Sequence, residues 1–277
     1  MAEKNTNKAK ETNPSWESVL IARHLNRPYF SDYAKGLFTD FIELHGDRRF
    51  SDDKAITGGF AKLDGKSVML IGHNKGGVDV VLKDKHRFGL PFPDGYRKAL
   101  RLMELAQRFN VPVITLIDTS GAYPGIEGEE RGQAEAIARN LVEMAQLQVP
   151  IICVVVGEGG SGGALGIGVG DVVLMLENSV YSVISPEGCA GILWRDGSKA
   201  ELAAAALKIT SKDLLRFGII DKIIPEPAGG AHKNHTETFE NIKSVVLEEL
   251  ETLQKITPQK RIQKRIEKFA KMGAFTE

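Results

Sequence analysis

The residues with the clearest chemical potential in this sequence are glycines, clustered where apolar runs end. One cluster, Gly157-Glu-Gly-Gly-Ser-Gly-Gly163, directly follows the apolar run at residues 149–156. Residues without a Cβ leave their backbone N–H groups open to a ligand, and at a helix N-terminus those groups attract negatively charged oxygen. When the oxygen gains its charge in a transition state, such an arrangement is an oxyanion hole. A tight turn accounts for two or three glycines, whereas this stretch has five.

A second cluster, Gly121-Ala-Tyr-Pro-Gly125, has the same placement, because it follows the β-branched run at residues 113–117. Two such loops suit a reaction in which two oxygens carry developing negative charge. No pair of carboxylates and no metal-ligand cluster in the sequence competes with them. The acidic residues just after this loop open a helix, where interaction with the helix dipole explains them without a catalytic role.

The stretch also matches a dinucleotide-binding fingerprint. Gly157, Gly159 and Gly162 have the required spacing, and Glu177 follows about 20 residues later. Further glycines weaken the helix that this fingerprint needs, by about 1 kcal/mol for each interior glycine relative to alanine. The dinucleotide interpretation is therefore the weaker one.

A third interpretation is a nucleophile elbow centred on Ser161 within Gly159-Gly-Ser-Gly-Gly163. Asp196 or Asp221, followed by His232, completes the chain order of a hydrolase triad. Nothing in the sequence brings that histidine to the serine. A small residue required for close packing is the alternative explanation of Ser161.

The elements that must position these loops follow a repeated pattern. Strand, glycine-containing loop and helix occur over residues 113–147 and recur from residue 149, about 35 residues later. This repeat predicts an α/β fold with parallel strands, in which ligand sites lie at the carboxyl ends of the strands. Both glycine clusters fall at such ends.

The remaining pattern extends the fold in both directions. A hairpin is predicted through Asp64-Gly65, a dipeptide suited to a tight turn. Residues 38–44 are predicted to be helix-like. The other predicted strands cover residues 55–63, 67–73, 172–176, 180–184 and 219–224, and the other predicted helices cover residues 95–110, 200–208, 211–217, 238–253 and 259–272, with a further helix starting at Pro186.

The two ends of the chain differ from the middle. Residues 1–22 are polar and are expected to be partly disordered. Residues 236–277 are expected to form a charged C-terminal helical appendage. Its basic face is expected to be solvated, and consists of Lys260, Arg261, Lys264, Arg265 and Lys268.

Composition excludes several classes of function. Lysine plus arginine number 36 and aspartate plus glutamate number 36, so the formal net charge is zero and neither nucleic acid nor a membrane surface is an expected partner. The two cysteines form no metal-ligand pattern, so no metal site is expected, and Cys153 is predicted to be a buried apolar residue. The sequence has no secretory signal and no run long enough to span a membrane, which predicts a cytoplasmic location.

Four motifs together make the sequence recognisable. They are Asp118-Thr-Ser-Gly-Ala-Tyr-Pro-Gly125, Glu129-Glu-Arg-Gly-Gln133, Gly157-Glu-Gly-Gly-Ser-Gly-Gly-Ala-Leu165 and Tyr181-Ser-Val-Ile-Ser-Pro-Glu-Gly-Cys189. The sequence closely resembles the alpha subunit of bacterial acetyl-CoA carboxylase carboxyltransferase. The resemblance also includes Arg27-Pro-Tyr29, Phe38-Thr-Asp40, Gly95-Tyr-Arg-Lys98 and Ile224-Pro-Glu-Pro227, so it covers residues 23–232.

The resemblance implies a crotonase-like spiral of ββα units over residues 23–235. It implies transfer of a carboxyl group from carboxybiotin, on the biotin carboxyl carrier protein, to acetyl-CoA, giving malonyl-CoA for fatty acid synthesis. The implied partners are a carboxyltransferase beta subunit in an alpha2-beta2 assembly, the carrier protein and biotin carboxylase. Zinc is expected only in the beta subunit, and the alpha chain alone is expected to be inactive.

The resemblance also assigns site residues. It places one oxyanion hole at Gly121, Ala122 and Gly125, and the other at Gly159, Gly160, Ser161 and Gly162. Tyr123 and Pro124 are expected to line the biotin pocket, although plain packing explains Tyr123 equally well. Two departures from the family pattern are Ser120, where proline is common, and the segment at residues 75–87, which lacks the usual Thr-Lys-Glu type of sequence.

Overall fold

The computed structural model describes residues 13–273. The strands in this part of the chain are β1 (Thr39–Glu43), β2 (Ile56–Leu63), β3 (Lys66–His73), β4 (Val113–Thr119), β5 (Ile151–Gly160), β6 (Val172–Leu176), β7 (Val180–Ser182) and β8 (Lys222–Ile224). They form one sheet in the order β1-β2-β3-β4-β5-β6-β8, and β7 pairs with the last residues of β5.

The α-helices surround this sheet. They are α1 (Pro14–Ala22), α2 (Phe30–Gly36), α3 (Val80–Lys85), α4 (Pro93–Arg108), α5 (Ile126–Glu130), α6 (Gln133–Gln146), α7 (Ser161–Leu165), α8 (Pro186–Trp194), α9 (Ala200–Leu207), α10 (Ser211–Arg216), α11 (His235–Gln254) and α12 (Pro258–Ala270). None of the helices in residues 13–273 combines the length and the apolar composition that a membrane crossing needs.

The sheet joins an antiparallel edge to a parallel centre. Strands β2 and β3 form the predicted hairpin, in which Asp64 and Gly65 both have positive φ, as a tight two-residue turn requires. Strands β3, β4, β5, β6 and β8 run parallel, so the predicted parallel repeat is confirmed. The helix predicted at residues 38–44 was wrong, because Thr39–Glu43 pairs with β2 as an edge strand. Pairing with a neighbouring strand outweighed the local helical spacing.

Each central strand is buried on both faces. Along β5, Ile151, Cys153 and Val155 pack with α4 and α6, whereas the intervening Ile152 and Val154 pack with α2 and α11. This two-sided burial explains why the strand is a continuous apolar run rather than an alternating one. Cys153 is buried as predicted.

Both ends of the described chain belong to the folded body. Residues 1–22 were expected to be partly disordered; within them, α1 is helical and its Val19 is fully buried, while residues 1–12 lie outside the described range. Helix α11 packs its apolar residues against one face of the sheet, so the C-terminal segment forms part of the hydrophobic core. Residues 274–277 also lie outside the described range.

The expected solvated basic face on α12 was wrong for its two arginines. Arg265 is fully buried and binds both oxygens of Asp171, at 2.9 and 2.8 Å. Arg261 is also buried, and donates to the carbonyl oxygens of Leu253 and Ile256. The basic pattern therefore anchors the C-terminal helix to the sheet.

Candidate functional site

The two predicted glycine loops lie side by side at the carboxyl ends of β4 and β5. The first is a true loop, which leads from β4 into α5. The second is not a loop, because β5 continues to Gly160 and α7 begins at the next residue. Register with Tyr181 and Ser182 of β7 holds this glycine stretch in the sheet.

The backbones of the two segments touch. A Cβ built on Gly160 would collide with the carbonyl group of Ser120, and one built on Gly163 would lie 2.5 Å from the Ala122 nitrogen. The segments therefore form one continuous surface. At Ser120, where proline is common in the family, only backbone atoms make this contact, so a serine and a proline would pack against Gly160 in the same way.

Close packing explains four of the five glycines. Besides Gly160 and Gly163, Gly157 lies against the carboxylate of Asp118, and Gly159 lies against the ring of Tyr181, which would be 2.7 Å from an added Cβ. Only Gly162 leaves ordinary space, with Ile137 at 3.6 Å. The high glycine content therefore reflects backbone approach as well as any ligand site.

Several amides that the sequence offered as donors are already engaged. The Gly121 N–H donates to Thr119 Oγ1 at 3.0 Å, and the Tyr123 N–H donates to the Pro91 carbonyl oxygen at 3.0 Å. Proline at 124 has no N–H to donate. Gly159 and Gly160 belong to the paired part of β5.

Open amides remain in both segments, and they include those of Ala122 and Gly162. Across residues 13–273, no acceptor takes a hydrogen bond from the Ala122 N–H. Gly162 is the second residue of α7, so its N–H is one of the first-turn amides that have no partner within the helix. Because the two backbones touch, these amides lie on neighbouring segments of one surface.

An apolar groove lies beside Gly162. It has a volume of about 330 Å³ and opens to the surface. Its lining includes Ser161, Gly162, Leu165, Tyr181, Ser182, Val183, Leu207, Leu214 and Ile219. A ligand that reaches the Gly162 amide would meet mostly apolar surface.

Tyr123 and Pro124, the residues expected to line the biotin pocket, lie in the loop between β4 and α5. The ring of Tyr123 packs against Phe92, with ring centroids 4.3 Å apart, and its hydroxyl donates to Glu127 Oε2 at 3.2 Å. Gly125 lies against the same ring, which leaves no room there for a Cβ. Pro124 is exposed. Packing is thus a sufficient role for Tyr123 in the free chain.

Ser161 has the backbone of a strained turn, but its three candidate triad partners are engaged with other residues. Its φ is +52°, in the left-handed region, and its side chain is exposed. His232 stacks on His24, with ring centroids 3.8 Å apart. Asp196 caps its own turn at Ser198, and Asp221 binds Lys268. The hydrolase triad is therefore not assembled.

The dinucleotide fingerprint also lacks its structural context. The helix that follows the glycines is α7, with five residues. A fingerprint of this kind needs a longer helix packed on its strand. Within the described residues, no group of three histidine, cysteine, aspartate or glutamate side chains is placed to hold a metal ion.

Sequence reasoning missed a charged cluster directly behind the loops. Lys75 Nζ lies 2.5 Å from Asp118 Oδ1 and 3.5 Å from Glu158 Oε2. Burial lowers the pKa of Lys75, but the two facing carboxylates raise it by more, so the lysine stays charged. The available signal was that Asp118 directly follows one predicted strand and that Glu158 is the one acidic residue within the glycine cluster after the next strand.

Comparisons of the sequence with a family model and with individual proteins indicate the same family. Residues 1–273 match a family described as acetyl co-enzyme A carboxylase carboxyltransferase-like. An acetyl-coenzyme A carboxylase carboxyl transferase subunit alpha from Geobacter metallireducens is 58% identical over 262 residues, covering 95% of this chain and 82% of the relative. The subunit of the same name from Bacillus cytotoxicus is 59% identical over 258 residues, covering 93% and 79%.

Solved structures share the fold. A transcarboxylase 12S structure with methylmalonyl-coenzyme A bound has a TM-score of 0.61 at 20% identity, covering 79% of this chain and 43% of that one. The beta subunit of geranyl-CoA carboxylase from P. aeruginosa has a TM-score of 0.59 at 18% identity, covering 81% and 40%. The expected crotonase-like fold is confirmed by these carboxyltransferase neighbours.

Proposed function

This chain belongs to the acetyl-coenzyme A carboxylase carboxyltransferase alpha-subunit family. From that premise we propose which of its residues take part in carboxyl transfer. It is the alpha subunit of a biotin-dependent carboxyltransferase. It takes part in moving a carboxyl group from carboxybiotin to acetyl-CoA, which yields malonyl-CoA for fatty acid synthesis. We assign it to the cytoplasm, where the sequence analysis expected it.

The observation that carries the proposed site is that two touching backbones each present an open amide, Ala122 on one and Gly162 on the other. When carboxybiotin gives up its carboxyl group, negative charge moves onto the ureido oxygen of biotin. Two N–H groups fixed in advance stabilise such an oxygen, because they need not reorganise as the charge appears. The apolar groove beside Gly162 gives the uncharged part of biotin a surface to pack against.

This proposal assigns a direct role in binding oxygen to fewer residues than the sequence did. Gly121, Gly159 and Gly160 hold the two segments in place, because the Gly121 amide is already bonded and the other two glycines pair with β7. Gly125 and Ser161 give the backbone the conformation that it needs at the two turns. One combined hole on this chain replaces the two expected holes, so the enolate oxygen of acetyl-CoA is stabilised by the partner subunit.

The exposed surface near the groove supports a partner. Val183 lines the groove and is exposed, and Ile192 and Leu193 on α8 are exposed as well. Exposed apolar side chains close to a site are typical of a protein interface. We propose that the carboxyltransferase beta subunit covers this surface in an alpha2-beta2 assembly, and that the biotin carboxyl carrier protein and biotin carboxylase act with it.

The test removes one amide at a time from the complex with the beta subunit. Proline is tolerated in a first helical turn and lacks the N–H, so Gly162→Pro deletes the proposed donor, while Gly162→Ala retains it. The assay is malonyl-CoA decarboxylation in the presence of free biotin. We expect Gly162→Pro to lose on the order of 100- to 1,000-fold in kcat, and Gly162→Ala to stay within about threefold of the parent.

Equal activity of the proline and alanine variants would refute a donor role for Gly162. If Gly162→Pro does not assemble, Ala122→Pro deletes the other donor in the loop, where no helix has to be rebuilt. An Ala122→Pro complex that assembles with full activity would equally reject the site.

A further inference from the structure

We propose that Lys75 is a positioning residue for carboxyl transfer, because its ammonium group ties together the two segments that carry the open amides. This inference rests on the proposed function. Lys75 lies two residues after β3, Asp118 is the penultimate residue of β4, and Glu158 is near the end of β5. These three strands are neighbours and run parallel, so each contributes one charge to the same edge of the sheet.

The cluster connects directly to both segments. Asp118 lies three residues before Gly121, and Glu158 lies two residues before Gly160. Asp118 Oδ1 accepts from Lys75 Nζ at 2.5 Å and also from the Glu158 N–H at 2.9 Å. One carboxylate oxygen thus holds the lysine and the neighbouring strand together.

Burial makes this connection strong. The side chains of Lys75, Asp118 and Glu158 are only 17%, 14% and 13% exposed. Removing one partner of a buried ion pair leaves the other charge without compensation, which is strongly destabilising. Without the lysine, the two carboxylates would face each other and push the strand ends apart.

Other charges fix the outer side of the cluster but do not replace Lys75. Arg23 on α1 binds Glu158 at 2.7 Å and Glu187 at 2.6 Å. It reaches one carboxylate of the pair, whereas Lys75 reaches both. The β4–β5 register is irregular between Ile117 and Thr119, and Lys75 is the cation that neutralises both carboxylates at this point.

On this proposal, the conformation of the two strand ends at the irregularity places the segments that carry the Ala122 and Gly162 amides. A misplacement of about 1 Å at a reacting centre can cost on the order of 100-fold in rate. A purely structural ion pair would instead affect stability alone. The two roles are separable, because positioning changes kcat at constant folding and structure changes the melting temperature.

The experiment uses the complex with the beta subunit and the same decarboxylation assay. The main variant is Lys75→Met, and the conservative variant is Lys75→Arg. The matched control is Lys268→Met, because Lys268 is 20% exposed and binds Asp221 at 2.9 Å. Asp221 precedes β8, so this pair lies at the opposite, amino-terminal edge of the parallel strands.

We expect Lys75→Met to lower kcat by about 10- to 100-fold, with KM for malonyl-CoA within about twofold of the parent. Lys75→Arg should recover most of the rate, since it restores a cation between the carboxylates. Lys268→Met should keep kcat within about twofold. A folded Lys75→Met complex with the parental kcat would overturn the proposal.

A second variant covers the case in which Lys75→Met fails to fold. Lys75→Met combined with Asp118→Asn removes one charge of each sign, keeps an acceptor for the Glu158 N–H and leaves Glu158 paired with Arg23. Positioning by Lys75 predicts that this double variant regains stability but not kcat. Recovery of both would assign Lys75 to stability alone. An inactive parental complex would instead reject the proposed function, and this inference with it.

Discussion

Arg27 and Glu226 lie 199 residues apart in the sequence and form a buried, two-pronged ion pair. Arg27 Nη2 donates to Glu226 Oε1 at 2.5 Å, and Nη1 donates to Oε2 at 3.2 Å. The same arginine donates to the Val156 carbonyl oxygen at 2.7 Å, at the end of the apolar part of β5. Two motifs that looked unrelated in the sequence, Arg27-Pro-Tyr29 and Ile224-Pro-Glu-Pro227, are therefore two halves of one clamp.

Breaking this clamp should be costly. Arg27→Met leaves Glu226 buried without a counter-charge, so we expect the free energy of unfolding to fall by about 3–5 kcal/mol. Urea denaturation followed by circular dichroism measures this change. The control is Lys62→Met, because the pair of Lys62 with Asp40 is exposed to solvent and should contribute little to stability. A loss at Arg27 as small as the loss at Lys62 would contradict the clamp.

The clamp should also respond to acid. Burial raises the pKa of Glu226, but Arg27, Asn178 and the Ala231 N–H lower it by more, so the folded pKa lies below the ordinary 4.5. A lowered folded pKa gives stability that is complete above the unfolded pKa and is lost as pH falls through the folded one. The difference in unfolding free energy between the parent and Glu226→Gln should be constant from about pH 6 to 8 and shrink below about pH 4.5. Urea denaturation at a series of pH values measures this difference, and a difference that does not change between about pH 8 and pH 3 would contradict the clamp.

Glycine substitutions should separate packing from ligand access. Gly160→Ala forces a Cβ into the Ser120 backbone, so we expect a loss of about 1–3 kcal/mol or more in unfolding free energy. Gly162→Ala should change stability by less than about 1 kcal/mol. Thermal melting compares them, with Gly191→Ala as control, because a Cβ there meets nothing within 4 Å. Equal melting temperatures for all three variants would show that the β4–β5 contact yields easily.

Ser161 should be dispensable for chemistry. Ser161→Ala removes only a hydroxyl, and the candidate base for that hydroxyl, His232, stacks on His24 instead, so we expect kcat within about threefold of the parent. The assay is again malonyl-CoA decarboxylation in the complex. A collapse of activity with normal assembly, together with labelling of the parent by a serine-directed reagent, would support the hydrolase interpretation instead.

Much of the fold was predictable because its signals are local. The Asp64-Gly65 turn, the apolar runs of β4 and β5, and the start of α8 at Pro186 all depend on residues close together in the chain. The edge strand β1 was missed, since its conformation comes from pairing with β2 rather than from its own pattern. The anchoring of α12 was missed for the same kind of reason, as Arg265 finds Asp171 94 residues away.

The sequence by itself determined the family, the parallel repeat and the placement of the glycine clusters at two strand ends, because motifs and apolar periodicity are properties of neighbouring residues. Only the tertiary structure decided which amides stay open. That depends on contacts between distant segments, as when Thr119 occupies the Gly121 amide and the backbone of Gly163 meets that of Ala122. The bridge from Lys75 to Asp118 and Glu158 is likewise a product of strand order, since three charges far apart in the chain become neighbours only when their strands pair.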